Sequence, residues 1–472
     1  MSSQYAIHTA HLLFFLMLLA GCHQTPVREV VYEEIQLTSD AQGHCLHNTQ
    51  CFSPDNQWIV YDTRNHDTLI SSTGHIEMVH VATKEVKKLY QTQNQTAFGP
   101  GVGAATFSPV APLQVLFIHG IRNADARNPY GYTRRTGVSV RIDAPFHPIF
   151  MDARDVSAPF TAGALRGGTH AHTWSGDGQW VSFTYNDYVL QQLDDLRVPD
   201  LRTVGVMAPF GPVEVSDDGS GENNSGELFS VVVAEVTENP TPGSDEIDKA
   251  FDEGWIGQSG YQKNDGHWQK RAIAFQGNVK DVDGLAKTEV FVLDLPEDIT
   301  QANPNFPLAG TLDSRPNVPA GVQQRRITFT DQGVQGPRHW LRTTPDGSLI
   351  GFLSKDQNGV VQLYGVSPNG GQIKQLTFNP FSVQGPFNFS PDGRYVAYPA
   401  DNSVFLTDLE TGASNRLSSR FSSEEAPVGG VVWSGDGQML AYNRYVSSTS
   451  GRFLQIFLLK GPFSLSGKSN TQ

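Results

Sequence analysis

Along most of this chain apolar and polar residues alternate in short runs, and the runs restart after the same punctuation. Five stretches show it most plainly: CFSPDNQWIVY at Cys51 to Tyr61, TWSGDGQWVSF at Thr173 to Phe183, TTPDGSLIGF at Thr343 to Phe352, FSPDGRYVAY at Phe389 to Tyr398 and WSGDGQMLAY at Trp433 to Tyr442. Each sets an aromatic or Thr and then a Ser or Thr ahead of an Asp-Gly-type turn, and resumes with alternating apolar positions. A period of two on both sides of a tight turn predicts a β-hairpin. A hairpin that keeps recurring predicts a repeat protein.

The outer half of the unit also recurs, as HIEMVHVATKEVKKL at His75 to Leu89, VQLYGVSPNGGQIKQLT at Val361 to Thr377 and SVFLTDLETGASNRLS at Ser403 to Ser418. Two weaker copies keep a strand and lose part of the turn, at Phe107 and at Arg271 to Phe275, the latter running into TEVFVLDLP. Four short strands per unit, repeating every ~40 to 50 residues, are the pattern of a β-propeller. Starts near 52, 107, 174, 268, 343, 389 and 433 predict an all-β, seven-bladed propeller over residues 45–472. The spacing is tight only at the C-terminal end, so insertions are expected at about 119–170 and 194–266.

The apolar run Leu12 to Gly21 is too short to cross a bilayer and suits a signal-peptide core. Leu19-Ala20-Gly21-Cys22 resembles a bacterial lipobox, although only His8 and His11, and no Lys or Arg, precede the run. Residues 1–21 are thus expected to be a signal peptide, Cys22 a lipid-bearing residue and 22–44 a tether. His23 after the cysteine implies delivery to the outer membrane, periplasmic or cell-surface, with the lipid on Cys22 the sole membrane contact; plain secretion is the alternative. In such an oxidising compartment Cys45 and Cys51 are expected to form a disulfide that pins the first strand. A zinc site using Cys45, His47 and Cys51 is the other reading.

A net charge of −14 excludes a nucleic-acid footprint, which would be basic. The charge is uneven, however. From Arg122 to Arg166 there are seven Arg, no Lys and four acids, interleaved with Tyr130, Tyr132 and His147. A guanidinium fork can hold a carboxylate or sulfate bidentately where an ammonium cannot. His170 lies seven residues before Asp177 and His339 seven before Asp346, which places two imidazoles at one level of two inner strands. His172, two residues on from His170, shares its strand face. Imidazoles at one level, with Arg and aromatic neighbours, point to a ring of ligands or proton-transfer groups around an axial pocket; each His capping a hydrogen bond between blades is the alternative. The acidic loop Asp217 to Asn224 lacks the bidentate Glu of a calcium loop, and GPGVGAA at Gly99 to Ala105 precedes a strand, so neither is a site.

The repeats resemble the TolB-type and WD-repeat-like propellers of the bacterial periplasm, through a turn phrase that carries no activity. Through GPGVGAATFSP, FIHGIRNADARNPYGYTRRTGV, GGTHAHTWSGDGQWVSFTYND, GWIGQSGY and QKRAIAFQG the chain resembles a family of enterobacterial and marine propeller lipoproteins. On His147, His170, Tyr261 and Arg271 it is similar to seven-bladed polysaccharide lyases, the ulvan lyases and more distantly the oligogalacturonate lyases. That resemblance implies a monomer cleaving an anionic, uronate-containing polysaccharide, with one divalent metal ion (Zn, Ca or Mn) in some members.

β-Elimination from a uronate removes the C5 proton while the neighbouring carboxylate is neutralised. Arg or a metal neutralises; His or Tyr moves the protons. The expected roles are acid/base or positioning for His147 and His170, proton transfer for Tyr261, carboxylate neutralisation for Arg271, and metal ligation for His172 and His339, with His267 in reserve. A non-catalytic propeller binding envelope partners is the second class. A glycoside hydrolase is the third, since nothing pairs Asp143, Asp152 or Asp155 with a distant carboxylate.

Overall fold

Seven antiparallel sheets stand around one axis in the computed structural model, which describes residues 28–29, 32–193 and 199–463. Blade one comprises Trp58–Asp62, His75–His80 and Val86–Gln91, with the 45–52 stretch bridged to its inner edge at Cys45 to Asp62 and Phe52 to Ile59. Blade two is Val102–Phe107, Gln114–Gly120, Arg135–Arg141 and Ala144–Phe150. Blade three is Gly167–Trp174, Val181–Asp187, Thr203–Ala208 and Phe229–Val232. Blade four is Ala250–Trp255, Ala272–Lys280, Ala286–Asp294 and Gln323–Arg326. Blades five and six begin with the short inner strands Arg342–Thr343 and Asn388–Phe389, and blade seven with Pro427–Trp433. The all-β, seven-bladed reading of the repeats is met.

The repeated phrase is the turn between the first two strands of a blade. Ser175 Oγ donates to Asp177 Oδ1 at 2.6 Å and accepts the Trp180 N–H at 3.0 Å, while Asp177 accepts the Gln179 N–H at 3.2 Å. Gly178 sits at φ +66°, where a side chain would be strained. Ser53 with Asp55, Thr344 with Asp346, Ser390 with Asp392 and Ser434 with Asp436 repeat the bond. Each turn touches the next around the ring, as Gly393 does Pro345, Gly437 does Pro391 and Gly435 does Asn56, so all lie on one face. The inner strands start from the opposite face.

The ring closes through the N-terminal side of the chain. Glu34–Gln36 forms the outer strand of blade seven and Arg28–Glu29 extends blade six, which covers edges that would otherwise be unpaired. The stretch expected to be a tether therefore belongs to the propeller from Arg28, while the signal segment and Cys22 lie outside the described residues. The stretches read as insertions also hold blade strands: 119–170 carries the outer half of blade two, and 194–266 the outer half of blade three and the inner strand of blade four. Those strands lack the Ser/Thr-Asp-Gly punctuation, so the repeat phrase does not reveal them.

Cys45 and Cys51 are buried free thiols, which corrects the expected disulfide. Cys51 donates to the His47 carbonyl at 3.0 Å. Amides pin this stretch instead: Asn443 accepts the Leu46 N–H at 2.8 Å and donates to the His44 carbonyl at 2.7 Å, and Asn388 donates to the Asn48 carbonyl at 2.8 Å. Leu37, Phe52, Ile59, Val432 and Leu458 then pack blade one against blade seven.

Candidate functional site

Where the inner strands begin, a cavity of about 700 Å³ opens on the axis, with His47, Ala104, His170, Trp340, Pro386 and Gly429 contributed by six of the blades or the stretches leading into them. Four arginines, Arg64, Arg135, Arg202 and Arg338, face it against one carboxylate, Asp67. In a chain of net charge −14 this is a concentrated positive field.

Two of the four are neutralised. Arg64 pairs with Asp62 at 2.7 Å and Asp67 at 2.8 Å, and Arg338 pairs with Asp252 at 3.0 Å while stacking 4.5 Å from the Trp340 ring. Arg135 and Arg202 have no carboxylate partner among the described residues. They contact one aromatic ring, with guanidinium carbons 5.1 and 5.2 Å from the centre of Tyr132. Arg135 is 4% exposed; its Nη1 donates to the Tyr130 hydroxyl at 2.9 Å, but its Nε and Nη2 have no partner. Leaving charged N–H groups buried and unpaired is expensive, so such an arrangement is expected where a ligand completes it. Among the described residues Arg202 donates to Asn186 alone, at 3.1 Å, and burial together with Arg135 and Arg338 holds it below the usual arginine range.

His170 lines the same cavity, 5% exposed and with no hydrogen bond to any described residue. Its Nδ1 is sealed, which leaves Nε2 as the nitrogen open to the cavity. Burial first, then Arg135, Arg202 and Arg338, push its pKa well down, so the ring is neutral. His47, edge-on to Trp340, is lowered to about 3 by burial and then Arg342 and Arg64.

The other candidates lie elsewhere. His147 is on the outermost strand of blade two, exposed, its Nδ1 2.9 Å from the Pro145 carbonyl. Arg271 donates to Asp177 at 2.5 Å and stacks on Trp180 at 4.7 Å, on the turn face and so at the far end of the blade-three inner strand from His170. Tyr261 is buried beside Gly347 on that same face, donating to Asp294 at 2.8 Å and accepting from Arg325 at 2.6 Å. Burial and then Asp294 hold its phenol well above the usual range, which unfits it for proton transfer near neutrality. Of the four expected catalytic residues, only His170 faces the axial pocket.

The two expected metal ligands do not meet. His172 is buried between blades two and three, its Nε2 3.0 Å from Thr169 Oγ1, which in turn donates to Asp152 at 3.0 Å. His339 uses both nitrogens on its backbone surroundings: Nδ1 is 2.9 Å from the Pro337 carbonyl and Nε2 accepts the Leu353 N–H at 3.1 Å. His267, the reserve, is exposed beside Asp265 at 3.2 Å. No group of three or more His, Cys, Asp or Glu side chains converges among the described residues, and an arginine-lined wall repels a cation. A divalent ion does not fit this donor set.

Of the seven arginines of the Arg-only segment, only Arg135 lines the cavity. Arg134 and Arg154 hold Glu222 at 2.6 and 3.2 Å, Arg166 pairs with Asp187 at 2.8 Å, and Arg141 pairs with Asp143 at the surface. Arg338 and Trp340 flank His339 in the stretch leading into the inner strand Arg342–Thr343, and both line the axial cavity while His339 lines only the cavity beside it. Arg202 lies outside every repeat phrase, and no sequence signal marks it. A larger cavity of about 910 Å³ lies at the rim, but its one lining arginine, Arg315, is held by Glu238 and its other charged groups are the acids Asp187, Glu235 and Asp313, which suits it poorly to an anion.

Fold and pocket together define a seven-bladed propeller with a cationic, aromatic-lined axial site. A family model described as "Protein of unknown function (DUF3748)" matches residues 101–222, the span that holds Arg135, His170 and Arg202. Over 415 residues the chain is 39% identical to the protein of Escherichia coli (strain K12) described as "Uncharacterized protein YidR", across 86% of this chain and 94% of that one. The chain belongs to the YidR family. Among solved structures it is similar to an oligogalacturonate lyase in complex with manganese, at TM-score 0.51 and 12% identity over 91% of this chain and 93% of the other. It is similar also to an oligogalacturonate lyase from Vibrio parahaemolyticus, at TM-score 0.51 and 10% identity over 91% and 94%. Identity this low establishes a shared fold alone.

Proposed function

We propose that the axial pocket binds a uronate-containing anionic polysaccharide and cleaves it by β-elimination. Arg135 and Arg202 would take the uronate carboxylate, their free N–H groups supplying the charge that stabilises the enolate as it forms. His170 would accept the C5 proton at Nε2, and Tyr132, whose ring both guanidiniums contact, would donate a proton to the departing glycosidic oxygen. The C5–H and C4–O bonds break, the C4–C5 double bond forms, and the two protons exchanged with protein return through water.

The observation that carries this reading is the meeting, in one cavity, of an unpartnered buried guanidinium edge on Arg135 and an unpartnered neutral imidazole on His170. The fold neighbours named for oligogalacturonate agree with it in substrate class. The test is incubation with ulvan, oligogalacturonate and other uronate polymers, following the ultraviolet absorbance of an unsaturated end group. Wild-type protein should generate it, and His170→Ala should slow it by at least ~10²-fold, as for loss of a proton-transfer group. If no uronate polymer is cleaved, the lyase reading fails and a non-catalytic propeller binding envelope partners replaces it.

A further inference from the structure

A second cavity of about 460 Å³ adjoins the axial pocket toward blades four and five, and the two share Arg202 and Arg338 as lining residues. Its remaining charges are Lys249 and Asp252. Asp252 is committed to Arg338, at 3.0 Å from Nη2 and 3.2 Å from Nε. Lys249 is half-buried, its ammonium 4.4 Å from the centre of the Phe251 ring, with no hydrogen bond or ion pair to any described residue. Burial, then Arg202 and Arg338, lower its pKa, so it gives up part of its affinity for a proton to stay among like charges.

The unpaired cations thus fall in two adjoining cavities, Arg135 in the axial pocket, Arg202 on the shared wall and Lys249 in the side cavity. One sugar carboxylate meets the first two; it leaves the third without a partner. Resting on the uronate reading of the axial pocket, we propose that the side cavity is a second anion subsite, in which Lys249 takes the carboxylate of the next uronate along the chain. The protein would then select chains of two or more uronates over a single one.

Calorimetric titration with galacturonate and with trigalacturonate tests this. Wild-type protein should bind the trimer at least about tenfold more tightly than the monomer, and Lys249→Ala should lower that ratio about fivefold, the size expected of one partly screened charge contact. Lys249→Arg, which keeps the charge, should restore the ratio, and a loss of folding in Lys249→Ala would appear in its melting curve rather than in the ratio. If both ligands bind but the trimer gains nothing, or Lys249→Ala keeps the gain, the second subsite is overturned and the axial site stands. If neither ligand binds wild-type protein, the uronate reading itself falls and the subsite with it.

Discussion

Arg135 and Arg154 are both buried arginines of one sequence segment, and replacing each with Met separates a ligand-facing group from a strut. Arg154 is fully buried with its donors placed: Nε to the Glu222 carbonyl at 3.0 Å, Nη1 to the Thr133 and Gly167 carbonyls at 2.8 and 2.5 Å, and Nη2 to the Glu222 carboxylate at 3.2 Å. Removing it strands buried acceptors and half of an ion pair, and should cost about 3–5 kcal/mol. Arg135 makes one hydrogen bond, worth ~1 kcal/mol or somewhat more, and two ring contacts of ~0.5–1 kcal/mol each. Against these stand two unpartnered buried N–H groups at ~1–3 kcal/mol each and the nearby charge of Arg202. The costs equal or exceed the gains, so Arg135→Met should be at least as stable as wild type while losing uronate binding. Denaturant unfolding is the suitable assay, because at this chain length 1 kcal/mol moves Tm by only about 1 °C. Should Arg135→Met destabilise as much as Arg154→Met, Arg135 is a structural strut and the pocket has lost its main ligand group.

His172 binds its proton only near pH 3 when folded, against 6.5 when free, so the unfolded chain takes up more protons on acidification. Its contribution to stability is complete above about pH 6.5 and falls by about 2 kcal/mol by pH 5; His172→Asn should flatten the wild-type loss between pH 7 and 5, and an unchanged slope contradicts the burial. A thiol reagent should miss Cys45 and Cys51 in native protein and modify both in urea without reductant, since burial pushes both thiols up, Cys45 to about 12; no modification in urea would mean a disulfide. Cys22→Ser should release the protein from the membrane fraction with its melting temperature unchanged, and a wild-type protein already free of acyl mass would refute the lipid anchor.

Repetition made the fold legible. Each Ser/Thr-x-Asp-Gly turn closes its own bonds, Ser175 with Asp177 for instance, so the phrase reads as a hairpin wherever it stands. The outer strands carry no such local signature, and the stretch 119–170 therefore read as an insertion although it completes blade two. Of the site, His170 was visible as an inner-strand position and Arg135 as one of a suspect group. What sequence could not separate was Arg135 from Arg134, adjacent residues whose strand alternation sends one to the axis and the other to Glu222. Tyr261 and Arg271 carry the right chemistry at the wrong end of the ring, a difference set by which face the turns occupy.

Proton NMR of oligogalacturonate with the protein in heavy water reads the proposed chemistry bond by bond. Wild-type protein should give the olefinic proton signal of a C4–C5 unsaturated end group as the C5 proton signal disappears, and both His170→Ala and Arg135→Met should suppress it while remaining folded. An unsaturated product formed undiminished by both variants, or no change in the substrate spectrum with wild-type protein, would contradict an axial uronate site built on His170 and Arg135.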